Sequence, residues 1–188
     1  MCKKLNVGCY GDYREGWVNH EHPKLKGKQK ADVYFDLDKF PYPVKDNTFD
    51  HIYLRNVLEH LNEPIKVVDE FHRILKPYGT VRILVPHGTC GNGWGDLTHK
   101  RLFGVSSMRH FGIGDGVCDY YSAKKWRVKT FLYWISPVNE GRFLRYVLPF
   151  TNLVNRVINI NEKVAMGFEM LVPLRYQEVE FLMTPKKG

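Results

Sequence analysis

Three histidines and one aspartate in the middle of the chain could take part in proton transfer. His60 and His87 each follow a predicted strand, whereas Asp96 and His99 lie in a glycine-rich stretch, separated by two residues. A positioned imidazole can remove a proton from a hydroxyl group, and a carboxylate can orient the ring. His99 is therefore the first candidate for a general base, with His60 and His87 behind it and Asp96 as the orienting residue. The structural alternatives are a local hydrogen bond between Asp96 and His99 and ordinary loop or helix-end contacts for the other histidines.

Residues at the ends of the first predicted strands indicate a ligand that contains a nucleoside. Gly8-Cys9-Tyr10-Gly11 follows the first strand, Glu21 the second, Asp36-Leu37 the third and Asn56 the fourth. In a doubly wound sheet the carboxyl ends of neighbouring strands form one crevice, so these residues converge. Glycines let the backbone approach a ligand closely, and an acidic residue can accept both hydroxyls of a ribose.

A nicotinamide or flavin dinucleotide fits this pattern less well. The pyrophosphate of a dinucleotide needs the spacing Gly-x-Gly-x-x-Gly at the start of a helix. Here Gly8 and Gly11 are followed by Gly16, and the intervening Asp12 and Glu15 would repel a pyrophosphate. A nucleoside without phosphates is the better match.

The cysteines and histidines do not have the spacing of a metal site. The four cysteines are Cys2, Cys9, Cys90 and Cys118, and they form no Cys-x-x-Cys pair. None of the eight histidines pairs with another His or with a Cys at the spacing of a known metal-binding helix or knuckle. We therefore predict reduced thiols and no metal site.

Alternating strands and helices over residues 4–86 position the candidate residues and predict an α/β fold with a doubly wound, mostly parallel sheet. Asn62, Pro64 and apolar residues at helical spacing predict a helix from about Glu63 to Lys76. Runs of β-forming residues predict five strands in this half, at Leu5–Gly8, Trp17–Asn19, Ala31–Phe35, Phe49–Leu54 and Thr80–Val85.

The second half of the chain, residues 87–188, predicts a substrate loop, a helical lobe and edge strands of the same single domain. Residues 87–119 are rich in glycine and too long for a plain connection. Arg127–Ile135 and Glu178–Thr184 are β-rich and predict an antiparallel pair at one edge of the sheet. Apolar residues at helical spacing in Arg142–Ile160 predict two short helices packed on the body. The alternative is a basic amphipathic element, with Arg142, Arg145 and Arg156 facing a membrane or a lipid-like substrate.

The ordered motifs resemble those of class I S-adenosylmethionine-dependent methyltransferases. More narrowly, the chain is similar to a small Rossmann-like subgroup in which the helix after the first strand is shortened to a loop. The resemblance covers most of the chain and rests on Leu5-Asn6-Val7-Gly8-Cys9, Gly16-Trp17-Val18-Asn19, Asp36-Leu37, the stretch from Asp46 to Leu61, Arg73-Ile74-Leu75-Lys76-Pro77-Tyr78-Gly79, and Asp96-Leu97-Thr98-His99-Lys100-Arg101.

The resemblance implies S-adenosylmethionine as the cofactor and residues 1–86 as the half that binds it. It places Gly8, with Cys9 and Tyr10 beside it, under the methionine part. It also places Glu21 at the ribose, Asp36 and Leu37 at the adenine, and Asn56 beside the cofactor. Two positions depart from the family pattern: Tyr10 replaces a second glycine, where its ring could obstruct or stack on the cofactor, and Glu21 replaces the usual aspartate.

Composition and charge describe the class of protein. The 188 residues are 44% hydrophobic and 26% charged, which excludes a disordered chain, and no run of 18 apolar residues occurs. The N-terminus has no secretory signal pattern, so we expect a cytoplasmic protein. The net charge of +8 makes it a basic protein, and permits nucleic acid or an anionic membrane surface as a partner.

Three functional classes remain. The first is a methyltransferase that acts on a small molecule, a sugar or a lipid. The second is an RNA- or nucleotide-directed methyltransferase, which the basic run Lys24, Lys26, Lys28 and Lys30 permits. Leu54-Arg55-Asn56-Val57 is not the motif of amino-methylating nucleic-acid enzymes, and no Pro-Cys pair exists for pyrimidine-carbon methylation. The third is a binding protein that keeps the fold but has lost methyl transfer, with Tyr10 as the main argument.

Overall fold

The computed structural model describes residues 2–112, 122–133, 152–171 and 176–187. Seven strands form one sheet in the order β3-β2-β1-β4-β5-β7-β6. Their bounds are β1 Lys4–Val7, β2 Val18–Glu21, β3 Val33–Tyr34, β4 Phe49–Arg55, β5 Leu75–Pro86, β6 Lys125–Tyr133 and β7 Glu178–Lys186.

The strand directions confirm the predicted fold class. Strands β1 to β5 pair in parallel, with Leu5 opposite both Val18 of β2 and Ile52 of β4. Strand β7 lies antiparallel to β5 and to β6, and β6 is the edge strand on that side of the sheet. The predicted antiparallel pair is therefore present at one edge of the sheet. The predicted end of its first strand, Ile135, lies outside the described residues.

Few helices accompany this sheet in the described residues. They are α1 (Pro64–Ile74), α2 (Gly91–Gly95), the helical residues 152–158 (α3) and α4 (Glu162–Leu171), with short 3-10 turns at Pro23–Leu25, Leu58–His60 and Arg109–Phe111. Turns replace a helix between β1 and β2. No helix of the described ranges is long and apolar enough to cross a membrane.

Helix α1 packs its apolar face, including Val68 and Phe71, into the core under the sheet. Its start differs from the prediction, because Asn62 does not cap it. Instead, the carboxylate of Asp38 accepts the backbone N–H of Asn62 (2.8 Å) and that of Glu63 (3.2 Å). Its end also differs, because β5 begins at Leu75, which pairs with Phe49 of β4.

Two apolar clusters hold the elements together. The main cluster fills the space around the sheet, where Val81, Ile83 and Val85 are fully buried. A smaller cluster holds β6 against α3 and α4 through Leu132, Ile158 and Ala165, among others. Part of the predicted helical stretch, with Arg142 and Arg145, lies outside the described residues. Arg156 is exposed on α3.

Candidate active site

The turn after β1 lies directly against the turn after β4. Gly8 has a φ of +63°, and a Cβ atom placed on it would be 2.5 Å from Cγ2 of Val57. Neither the backbone angle nor this distance suits a residue with a side chain. Asn56 also has a positive φ, of 53°. The backbone of the glycine turn therefore lies against the side chain of Val57 at the carboxyl edge of the sheet, where the sequence places a ligand.

Glu21 ties the end of β2 to the glycine turn. One carboxylate oxygen accepts the backbone N–H of Tyr10 (2.9 Å), and the other accepts the backbone N–H of His22 (2.8 Å). The residue is 5% exposed. Each carboxylate oxygen can accept more than one hydrogen bond, so a fixed Glu21 can still accept ribose hydroxyls.

The residues around Gly8 line a cavity of about 460 Å³. Tyr10 is 71% exposed and lines the cavity. The cavity is therefore present with the Tyr10 side chain in place. The lining residues are Asn6, Val7, Gly8, Cys9, Tyr10, Asp12, Arg14, Tyr53, Arg55 and Asn56. Four of the residues predicted to bind the cofactor, Gly8, Cys9, Tyr10 and Asn56, are thus brought together.

Asp36 and Leu37 do not line this cavity. The carboxylate of Asp36 accepts the backbone N–H of Asp38 (3.0 Å) and lies 3.8 Å from Nε2 of His22. Leu37 is 6% exposed and belongs to the main core cluster. The predicted contact of these two residues with adenine stays a prediction.

A second cavity, of about 690 Å³, shares one lining residue with the first. It is lined by Asn56, His60, Pro86, Gly95, Asp96, Leu97 and His99, so the two cavities share Asn56. The rings of His60 and His99 meet edge to face, with their centres 4.7 Å apart. Nε2 of His99 lies 3.7 Å from Oδ2 of Asp96. The fold therefore brings three of the four predicted proton-transfer residues to one rim.

When the two histidine rings are neutral, hydrogen bonds determine which ring nitrogen carries the proton. The Thr98 hydroxyl donates to Oδ1 of Asp96 (2.6 Å), so it must accept from Nδ1 of His60 (2.9 Å). Nδ1 of His99 can only donate to the carbonyl oxygen of Gly93 (3.0 Å). In both rings Nε2 is then left as an unprotonated nitrogen. Burial and the neighbouring His99 also lower the pKa of His60.

Glu59 is a member of this group that the sequence motifs did not single out for chemistry. It is 1% exposed, its Oε1 lies 3.9 Å from Nε2 of His99, and neither carboxylate oxygen has a hydrogen-bond partner among the described residues. Burial raises the pKa of Glu59 to about 7. The available signal was its position beside His60 after β4.

His87 does not join the rim. It is 2% exposed, with Nδ1 bonded to the Thr89 hydroxyl (2.9 Å) and Nε2 to Oε1 of Glu169 (2.7 Å). Its ring also packs edge to face on Tyr176. These contacts tie the loop after β5 to α4, which is the structural alternative for this histidine.

Comparisons with known proteins agree with this geometry. A family model described as a methyltransferase domain matches residues 12–83. Phosphoethanolamine N-methyltransferase 2 of Caenorhabditis elegans is 28% identical over 78 residues, which are 42% of this chain and 17% of the nematode protein. The chain thus spans less than a fifth of the length of that relative. The methyltransferase-domain match implies S-adenosylmethionine as the cofactor, as predicted.

Solved structures show the same fold. A methyltransferase from Archaeoglobus fulgidus, described as dependent on S-adenosylmethionine, superposes with a TM-score of 0.61 at 16% identity, covering 97% of this chain and 86% of that one. A chain from the complex between the Haloferax volcanii Trm112 methyltransferase activator and a methyltransferase gives 0.60 at 13% identity, covering 100% and 83%. Together with the strand order, these matches show that the chain has the fold of S-adenosylmethionine-dependent methyltransferases, which agrees with the resemblance drawn from the motifs.

Proposed function

We propose that this chain transfers a methyl group from S-adenosylmethionine to a small molecule, a sugar or a lipid. One observation carries the proposal: the cavity beside Gly8 and the cavity beside His99 are both lined by Asn56. A donor in the first cavity and an acceptor in the second would be neighbours, as an in-line methyl transfer requires.

The residues around the first cavity fit the cofactor. The turn at Gly8 offers backbone without a side chain, and Glu21, which does not itself line the cavity, is bonded to this turn and keeps lone pairs to spare. When bound, S-adenosylmethionine supplies an electrophilic methyl group on a sulfonium. The protein needs to align the two reactants and, where the acceptor is protonated, help to remove the proton.

The rim of the second cavity supplies groups for that help. In their neutral forms, His60 and His99 each leave Nε2 without a proton, and Asp96 also lines the cavity. These groups can bind a hydroxyl or an ammonium group of an acceptor and accept its proton. His99, predicted as the base, is mostly buried and fixed by Gly93, so its ring is oriented in advance.

The size of the second cavity supports a small acceptor. About 690 Å³ is within the usual range of small-molecule sites, roughly 300–1,000 Å³. The matched Caenorhabditis elegans protein is named for a small acceptor, phosphoethanolamine. The alternative of an RNA acceptor is supported by the net charge of +8.

Calorimetric titration with S-adenosylmethionine and S-adenosylhomocysteine tests the donor site. We expect both to bind the wild-type chain, and Glu21→Gln to weaken binding about 10- to 100-fold, because hydrogen bonds to a charged group are lost. Glu63→Gln is the matched control, since Glu63 is exposed and pairs only with Lys66 among the ion pairs of the described residues. Absence of binding at millimolar ligand would instead favour a binding protein that has lost transfer.

The acceptor class is tested with methyl-labelled cofactor. We would offer phosphoethanolamine, simple glycosides, phospholipid vesicles and RNA in parallel and follow label in each product. Label in one of the first three supports the proposal. Label only in RNA, with binding that weakens steeply as salt rises, would replace it by the nucleic-acid alternative.

A further inference from the structure

We propose that Glu59, His60 and His99 form a binding site for a divalent first-row transition-metal ion beside the second cavity, which is the acceptor cavity of the proposed function. The site itself stands on the geometry of these three residues. Its role in acceptor activation rests on the proposed methyl transfer.

The three side chains come from two segments that the fold brings together. Glu59 and His60 belong to the 3-10 turn after β4, and His99 belongs to the loop after β5. Each offers one potential ligand atom, and these atoms lie within 4.8 Å of one another. Two ligands bound to one zinc ion at about 2.1 Å each are at most about 4.2 Å apart. Small side-chain rotations would therefore close the group around an ion.

The hydrogen bonds described above prepare both histidines as ligands. A metal binds a neutral imidazole through a ring nitrogen without a proton, while the other nitrogen donates to a fixed acceptor. His99 meets this condition through the carbonyl oxygen of Gly93, and His60 through the hydroxyl of Thr98. Asp96 in turn accepts from Thr98, so the orientation of His60 is fixed by two successive contacts.

The buried carboxylate of Glu59 is a separate argument for a cation at this site. It is 1% exposed, and neither oxygen accepts a hydrogen bond within the described part of the chain. A buried carboxylate without partners is costly, and such groups are normally paired or bound to a metal. A cation between Glu59 and the two histidines would provide the missing partner.

The donor set indicates which ions would bind. Two imidazoles and one carboxylate suit Zn²⁺, Fe²⁺ or Co²⁺ better than Mg²⁺, which prefers oxygen ligands. His60 and His99 line the acceptor cavity, so an ion held by them would face the acceptor. A hydroxyl group that contacts such an ion is more acidic and can release its proton to solvent. In this arrangement His99 acts as a ligand and not as a base, because the ion lowers the pKa of the acceptor hydroxyl and solvent takes up the proton.

Metal binding can be measured without any assay of methyl transfer. Chelator-treated protein would be titrated with Zn²⁺ by calorimetry and with Co²⁺ by visible absorption. We expect one ion per chain in the wild type and no binding at this site in Glu59→Gln or His99→Ala. Thr98→Val should weaken binding about 10- to 100-fold, because it removes the contact that orients a ligand. His51→Ala is the matched control, since His51 is exposed on β4 and outside the group.

Thermal unfolding separates loss of the site from loss of the fold. Glu59→Gln keeps the shape of the side chain and should fold. Added Zn²⁺ should raise the Tm of the wild type and leave the Tm of Glu59→Gln unchanged. Equal ion binding by the wild type, Glu59→Gln and His99→Ala would overturn the proposal, as would no binding by the wild type. Cofactor titration of the same samples keeps the two proposals apart, because S-adenosylmethionine binding without metal binding refutes only the metal site.

Discussion

Replacing Gly8 by alanine tests whether the close contact between the two turns holds the site. Two costs add at this position. A side chain at a φ of +63° costs about 1–2 kcal/mol. Its Cβ would also lie 2.5 Å from Cγ2 of Val57, and overpacking of this kind costs about 1–3 kcal/mol. We therefore expect Gly8→Ala to lower the free energy of unfolding by about 2–5 kcal/mol.

Gly16→Ala separates the two costs. Gly16 has a φ of +75°, close to that of Gly8, but a Cβ atom placed on it would have nothing within 4 Å. Gly16→Ala should therefore lose only the backbone cost, about 1–2 kcal/mol. Chemical denaturation of both variants measures the difference, and titration with S-adenosylmethionine shows whether Gly8→Ala alone weakens cofactor binding.

A double-mutant cycle then tests the named contact. Val57→Ala removes the Cγ2 atom that the new methyl group would strike, so the double variant Gly8→Ala, Val57→Ala should regain about 1–3 kcal/mol relative to the sum of the single effects. Strictly additive effects, or a Gly8→Ala variant as stable as Gly16→Ala, would refute the reasoning.

Two further predictions concern stability. Burial lowers the pKa of His20 to about 4 from its ordinary 6.5, and its ring is bonded to the carbonyl oxygen of Phe35 (2.8 Å). As the pH falls, His20 therefore binds a proton in the unfolded chain before it does so in the folded chain, and about 3 kcal/mol of stability should be lost between about pH 6.5 and about pH 4. Denaturation at a series of pH values should show that the free energy of unfolding of His20→Gln depends less steeply on pH. Equal slopes for the two proteins would contradict this. Arg73→Lys should lower the free energy of unfolding by about 1–2 kcal/mol, because lysine cannot reproduce the two hydrogen bonds that Arg73 donates to the carboxylate of Glu70 (2.6 and 2.8 Å). As a control, Lys66→Ala at an exposed ion pair should change it by less than about 0.5 kcal/mol. Urea titrations measure both.

The sheet was predictable because its strands carry their own pattern. The alternation in β5 places Val81 and Ile83 on one face and Leu84 on the other, and all three are fully buried. The ends of α1 were less predictable, since they depend on partners from elsewhere. Asp38 accepts the backbone N–H groups at its start, and pairing with Phe49 makes Leu75 the first residue of β5.

The roles of the histidines depend on contacts that local sequence does not contain. His87 bonds to Glu169, which is 82 positions away, and its place after a strand could not predict this contact. His60 bonds to Thr98, 38 positions away. No spacing rule for a metal helix or knuckle covers ligands from such distant segments, so the prediction of no metal site could not anticipate the group around Glu59.

The contact between Gly8 and Val57 links the proposed cofactor site to the group around Glu59. Val57 is followed directly by the 3-10 turn Leu58–His60, and its carbonyl oxygen accepts the backbone N–H of His60 (3.1 Å). A side chain at Gly8 that displaced Val57 would therefore shift the turn that carries Glu59 and His60. Because Gly8 lines the first cavity and the shifted turn carries His60, which lines the second, Gly8→Ala should weaken Zn²⁺ binding as well as cofactor binding, and Val57→Ala added to it should recover part of both. Loss of cofactor binding with unchanged Zn²⁺ binding would mean that the two turns respond independently.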